Sequence, residues 1–396
     1  MRSIKILREK FAEGFDFLHV RRQDALWRGV EALMHGGRLW LTALGRDMRG
    51  SALEKHRIKA ADRLLGNSAI HAALPKIYQA LALWLLRRMP RPVLLVDWTG
   101  CGPDQFLLRV GVPFGGRSIL LHGVVVGRRK LATRSVHEKF LKTLAAILPA
   151  HCRPVIVSDA GFFHHWFAQV TALGWDFVGR VRGRYCVTVG GEKMPIKKLY
   201  QRAGQHHRDL GAGEVGANRR DVRRLILSAK PKGKGRRRKT RLGRRGRSSA
   251  DKIHSRGAKE AWLLATSLTC AARKVVEIYA TRMQIEESFR DLKSHRFGWA
   301  FCSARSKKPN RIQLLLMIAA LASIALSMVG AAAEQRKLER QFQANTIRKR
   351  RVLSLITLGR RVIRTGLEIA VHELRAALAV VRAALESANP LQGMQI

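Results

Sequence analysis

Two short runs constrain this chain more than anything else in it. PVLLVD (92–97) and PVIVSD (154–159) are unbroken apolar segments, each ending in a carboxylate. Consecutive aliphatic and β-branched residues of this kind are buried on both faces, which happens in the middle of a sheet covered by helices. An all-helical chain is therefore excluded, and an α/β fold is expected with Asp97 and Asp159 at strand ends. FLLRVGVPF and SILLHGVVV, separated by a Gly-rich turn, extend the first run into a three-strand meander. SVHEKFLKTLAAILP (135–149) reads as an amphipathic helix closed by Pro149, FFHHWFAQVTALG as a helix stopping at Gly174, and WDFVGRVR and AWLLATS (261–267) as further strands.

After the last of these strands, Tyr279, Arg282, Glu286 and Lys293 follow one another at spacings of 3, 4 and 7 in a stretch that reads as one helix. With Tyr279 at zero and about 100° per residue, the four fall within an arc of about 60°. Ile278, Ile285, Phe289 and Leu292 cluster beside them and supply an apolar docking face. The polar stripe thus holds one carboxylate, two cations and a phenol. A carboxylate can bind a metal, and the cations and phenol can hold phosphate, which is the chemistry of phosphodiester cleavage.

Charge points the same way. The chain carries 75 Lys and Arg against 28 Asp and Glu, a net of +47 over 396 residues. Self-repulsion on that scale is offset by a polyanion, and nucleic acid is the expected one. The tract KPKGKGRRRKTRLGRRGR (230–247) holds 11 basic residues and no acidic one. Cysteines 101, 152, 186, 270 and 302 form no CxxC pair, which suits a reducing, cytoplasmic setting close to DNA and excludes the usual zinc-finger spacing. The start, MRSIKILREKF, lacks the apolar core of a signal peptide. Leu314–Ala333 runs 20 residues without a charge and is expected to be a buried core helix rather than a membrane span.

Five regions are expected. Residues 1–88 read as basic helices suited to binding DNA, 89–182 as the first part of a catalytic core, and 183–258 as a basic β-rich insertion. Residues 259–333 carry the remainder of the core with the polar-striped helix, and 334–396 a helical C-terminal region. Asp97 and Asp159 from strands and Glu286 from a helix packed beside them could converge. Three carboxylates that close repel one another unless a divalent cation lies between them, and Mg²⁺ suits oxygen donors while keeping positions open for water and phosphate. Each element alone has an ordinary explanation: a turn-forming or helix-capping Asp, or an i, i+4 pair between Arg282 and Glu286. Their combination is what points to a site.

Those residues resemble the bacterial DDE transposases of insertion sequences, in particular the insertion-sequence-four family with its Y-(2)-R-(3)-E-(6)-K signature. Tyr279, Arg282, Glu286 and Lys293 match that spacing, and VDWT around Asp97 and SDAGF around Asp159 resemble the family's two acidic blocks. The resemblance implies an RNase H-like mixed sheet flanked by helices. It implies two Mg²⁺ ions, replaceable by Mn²⁺, at Asp97, Asp159 and Glu286, and phosphate contacts from Tyr279, Arg282 and Lys293. The implied activity is DNA transposition: binding of terminal inverted repeats, hydrolysis of one strand at the element's end, and attack of the freed 3′-OH on target DNA, within a synaptic complex of a homodimer. Some members pass through a DNA hairpin and stack a flipped base on a Trp of the insertion. No Trp lies between 176 and 261 here, so Tyr185 or Tyr200 would have to serve, and the hairpin step stays open. The competing expectations are a decayed transposase that binds DNA without catalysis, a structure-specific nuclease of the same fold, and a membrane protein built around 314–333.

Overall fold

A computed structural model describes residues 1–162, 164–183, 186–216, 222–230, 260–344, 346–347 and 350–393. The basic tract beyond Lys230 and Tyr185 lie outside them. In chain order the helices α1 (Arg2–Lys10), α2 (Val20–Gly36), α3 (Leu41–Asp47), α4 (Glu54–Leu65) and α5 (Ser68–Leu86) precede strands β1 (Val93–Gly100), β2 (Gln105–Phe114) and β3 (Arg117–Gly127). Next come α6 (Arg134–Ile147), β4 (Val155–Ser158), α7 (His164–Ala172), β5 (Asp176–Val181), β6 (Cys186–Val189), β7 (Glu192–Pro195), α8 (Ile196–Gln201), β8 (Arg208–Val215), β9 (Val222–Leu227) and β10 (Leu263–Thr266). The remaining helices are α9 (Ala272–Ala280), α10 (Met283–Lys293), α11 (Pro309–Gln335), α12 (Leu355–Arg364) and α13 (Val371–Ser387). The chain divides into two compact units, residues 1–154 with 281–393, and residues 155–280. In each unit strands are flanked by helices, and those of the second run in mixed directions, in keeping with the expected RNase H-like fold class.

In the first unit β1, β2 and β3 form the expected antiparallel meander. Gly115 (φ +54°) and Gly116 (φ +81°) occupy the β2–β3 turn, where two consecutive residues with positive φ match the twist of a hairpin and favour glycine. β1 does not stop at Asp97. It runs on to Gly100, paired through Gly100 with Phe106, so Asp97 lies within the strand opposite Arg109 rather than at its end.

α11 is the core of this unit, and 94% of its most apolar window is buried against the rest of the chain. α12 crosses it at contact distance: a Cβ on Gly330 would meet the Leu355 carbonyl oxygen at 2.1 Å, and one on Gly359 would meet that of Leu326 at 2.1 Å. Ser354 caps α12 by accepting the Thr357 N–H (3.2 Å). α1 is tied to the C-terminal region by Arg2 to Glu368 (3.2 Å) and Arg375 to Glu9 (3.1 Å).

In the second unit the strand order is β4-β5-β10-β9-β8-β6-β7. β4 and β5 are parallel, joined by the crossover helix α7, while the pairs β5–β10, β10–β9 and β9–β8 are antiparallel. This mixture follows from sequence: a buried four-residue strand (VIVS) feeds a helix, and Gly174 (φ +71°) ends that excursion. Among the described residues of 183–258, strands β6 to β9 occur with the short helix α8 between β7 and β8.

Candidate functional site

The stretch expected to be one helix is two. α9 ends at Ala280 and α10 begins at Met283, with Thr281 and Arg282 in a turn between them. Arg282 keeps helical dihedrals (φ −52°, ψ −34°), and the bonds tighten to an i, i+3 pattern: Gln284 N–H to Thr281 O (2.9 Å) and Ile285 N–H to Arg282 O (3.1 Å). Tyr279 therefore belongs to α9 in the second unit. Arg282, which caps α10, and Glu286 and Lys293 within it belong to the first, and the single wheel holds only for these three.

Within the first unit, Arg282 joins the two acidic residues. Its Nη1 donates to Asp97 Oδ2 at 3.3 Å, and its Nη2 donates to Glu286 Oε1. The guanidinium is almost wholly buried (7% exposed), Asp97 is 16% exposed, and Glu286 is open at 42%. A single planar cation thus satisfies one buried and one exposed carboxylate through two hydrogen-bonding edges. Asp97 Oδ1 is held in addition by the Trp98 backbone N–H (2.8 Å). At the far end of α10, Lys293 Nζ donates to Thr99 Oγ1, two residues along β1 from Asp97, and lies 5.9 Å from the Phe289 ring centre. Cys101 sits near this ammonium, yet burial outweighs the attraction and pushes the thiol up to about 11, so it stays protonated and inert.

α10 is fastened by a second polar stripe that sequence reasoning missed. Gln284 Oε1 accepts the Phe114 N–H (3.1 Å), Ser288 Oγ accepts the Ser118 N–H (2.6 Å), and Asp291 Oδ2 accepts from Arg117 Nε (2.6 Å). These three recur at i, i+4 and i+7, roughly opposite Glu286 on the helix at about 100° per residue. They grip the β2–β3 turn, while Glu286 and Lys293 face the other way. The signal was in the sequence as polar residues at helical spacing, but their partners are 170 or more residues away.

Trp98 was missed as well. Its indole Nε1 donates to His137 Nε2 at 3.2 Å, linking the residue after Asp97 to α6. Burial lowers His137 to about 4, so the ring is neutral at ordinary pH and free to accept that bond.

In the second unit Asp159 follows β4, and the Tyr279 hydroxyl lies 3.5 Å from its Oδ1, at the outer limit of a hydrogen bond. The Tyr279 ring is buried edge-on against Trp262, with centres 5.0 Å apart. Tyr200, one of the two tyrosines considered for stacking a base, turns its hydroxyl inward to the Val181 carbonyl (3.2 Å).

Asp97 and Glu286 offer hard oxygen donors of the type Mg²⁺ takes. They fit a divalent ion to the extent that Arg282 yields them, since it stands where positive charge is needed between them. Among the described residues no group of three or more His, Cys, Asp or Glu side chains is gathered to hold a metal.

Residues 89–324 match the family described as Transposase DDE domain, which is more than half of the chain and includes every residue of the stripe. No curated protein matches. Among solved structures, the chain is similar to a piggyBac transposase in a cryo-EM synaptic complex with hairpin DNA, at 12% identity and a TM-score of 0.40 over 92% of this chain and 76% of that one. A likeness so distant carries no argument about mechanism. The matched range includes the elements that carry Asp97, Asp159 and Glu286, and by this match the chain belongs to the DDE transposases.

Proposed function

We propose that this transposase is a member of the insertion-sequence-four family that binds the terminal inverted repeats of its element and catalyses divalent-metal-dependent strand cleavage and strand transfer. One observation carries the reading: Arg282 couples Asp97 on β1 to Glu286 on α10, while Lys293 on the same helix reaches Thr99 on the same strand. A carboxylate pair with a cation at each end of one helix suits a phosphodiester whose charge must be met on both sides of the scissile bond.

Asp97, Asp159 and Glu286 are the proposed metal-binding carboxylates, with Mg²⁺ the proposed ion. When bound, such ions activate the attacking oxygen and stabilise the leaving one. The chain's own residues do the rest. Arg282 and Lys293 bind non-bridging phosphate oxygens and orient the ester, and Tyr279 contributes its hydroxyl to the same task. Arg282 also orients Asp97 and Glu286, the carboxylates that would hold the ion. DNA is the proposed partner at both element end and target, with the basic helices of 1–88 reading the repeats and a homodimer assembling the synapse.

End cleavage of DNA carrying the element's own terminus tests the proposal, with Mg²⁺ or EDTA and with Glu286→Gln. Mg²⁺-dependent cleavage that the variant lacks supports it. Binding without cleavage under Mg²⁺ or Mn²⁺ points to a protein that has kept DNA binding alone. Cleavage without joining of a pre-cut end points to a nuclease.

A further inference from the structure

The turn that follows Lys293 is built into a surface that the proposed chemistry does not use. Ser294–Gly298 folds back on α10: Gly298 N–H bonds Ser294 O (3.1 Å), Trp299 N–H bonds Asp291 O (2.9 Å), and a Cβ on Gly298 would lie 1.9 Å from the Asp291 carbonyl oxygen. Two arginines from distant elements clamp the turn from outside. Arg38, between α2 and α3, donates to His295 O (2.9 Å), and Arg360 of α12 donates to Phe297 O (2.9 Å). Arg360 also crowds Gly37, whose Cβ would meet its Nη2 at 2.6 Å.

The result is a gathering of like charge. Arg38, Arg296, Arg360, Arg361 and Arg364 lie on these elements, and among the described residues none of them forms an ion pair, whereas Arg117, Arg282 and Arg311 of the same unit all do. Burial, then the neighbouring Arg364, with Arg38 and Arg361 adding smaller repulsions, lowers Arg360 from its ordinary value. At the centre Phe297 is 66% exposed, an unusual place for a large apolar ring, with the Arg296 guanidinium 5.0 Å above it. Cations without ion pairs, two of them fixed by backbone carbonyls, around an exposed aromatic, suit a chain of phosphates joined by sugars.

We propose that Arg38, Arg296, Phe297, Arg360 and Arg364 form a docking surface for the sugar–phosphate backbone of duplex DNA, continuous with the Lys293 end of α10. This rests on the reading of the chain as a DNA transposase and adds the surface along which the duplex leaves the scissile bond. The arginines contact phosphates, and Phe297 packs against the sugar edge.

The test is the salt dependence of binding to an end-bearing duplex by the full-length protein. Arg296→Gln with Arg364→Gln removes two exposed charges that make no structural bond. Arg134→Gln with Lys139→Gln on α6 removes the same net charge elsewhere. The slope of log K against log[salt] is expected to fall by about 2 in the first variant, near one per lost phosphate contact, and to stay at the wild-type value in the second. Phe297→Ala is expected to weaken binding at every salt concentration without changing the slope. Equal loss in both charge variants, or no loss in the first, overturns the surface and leaves the transposase reading intact. A wild-type protein whose binding to the duplex has no salt dependence overturns the transposase reading itself.

Discussion

Arg282 reaches Asp97 across 185 residues of sequence, its Nη1 standing 3.3 Å from Asp97 Oδ2 while its other edge holds Glu286. One cation therefore neutralises two carboxylates that would otherwise repel, and it does so from a buried position. The arrangement makes Arg282 both a structural tie and a placeholder for positive charge.

Arg282→Gln is expected to cost about 1–3 kcal/mol of stability, because a mostly buried Asp97 loses its cation while the exposed Glu286 turns to water. Urea unfolding measures it. The same variant loses end cleavage, and a second change, Asp97→Asn, restores much of the stability without restoring cleavage. Stability unchanged in Arg282→Gln would show that the tie is not formed in solution.

Asp97→Asn and Glu286→Gln each keep side-chain volume and remove one charge. End cleavage is expected to fall by about 10²–10³-fold, on the scale of other losses of transition-state charge stabilisation, with affinity for the duplex within about twofold. Gel-based cleavage and fluorescence anisotropy separate the two quantities. A parallel loss of binding would assign these residues to folding or docking instead.

Acid should destabilise the protein through His122. This ring is fully buried on β3 between Tyr78 and Phe140, and burial lowers it to about 4 from an ordinary 6.5. As pH falls below 6.5, the unfolded chain takes up the proton first, so stability declines down to about 4 and then levels. The decline from this one group reaches up to about 3 kcal/mol. His122→Phe, with a ring of similar shape, is expected to flatten the dependence of the urea midpoint on pH between those limits.

Gly359→Ala places a methyl against the Leu326 carbonyl at the α11–α12 crossing. Backbone cannot yield there as a flexible side chain would, and a loss of about 3 kcal/mol is expected, at the upper end for overpacking. Thermal melting followed by circular dichroism should show a fall of several degrees. Gly366→Ala makes a useful contrast, since its methyl meets nothing and its cost comes only from φ +70°.

Much of the sheet was legible in the sequence, because burial on both faces leaves so plain a pattern. VLLV and VIVS could be little else, and the Gly115–Gly116 pair announced its hairpin. The break at Thr281–Arg282 was not legible. No Pro or Gly marks it, and the apolar period of Ile278, Ile285 and Phe289 runs straight across. α12 was expected only as part of a helical C-terminal region without bounds, because Arg360, Arg361 and Arg364 interrupt the Leu355, Leu358 and Val362 stripe. Of the site, the types and spacing on α10 and its approach to Asp97 were readable, and its other partners were not: Thr99, Arg117 and Ser118 come from strands formed far earlier in the chain. Periodicity reports a face, and only the fold says what that face meets.

The pairing of α1 with the C-terminal helices bears on how the protein is made. Arg2 and Glu9 find Glu368 and Arg375, each 366 residues later. A chain emerging from the ribosome in order must therefore carry α1 without these partners while the 366 residues between them are made. The +47 charge grows over the same interval. Until those helices emerge, the growing protein holds α1 undocked as a polycation beside the ribosome's own nucleic acid.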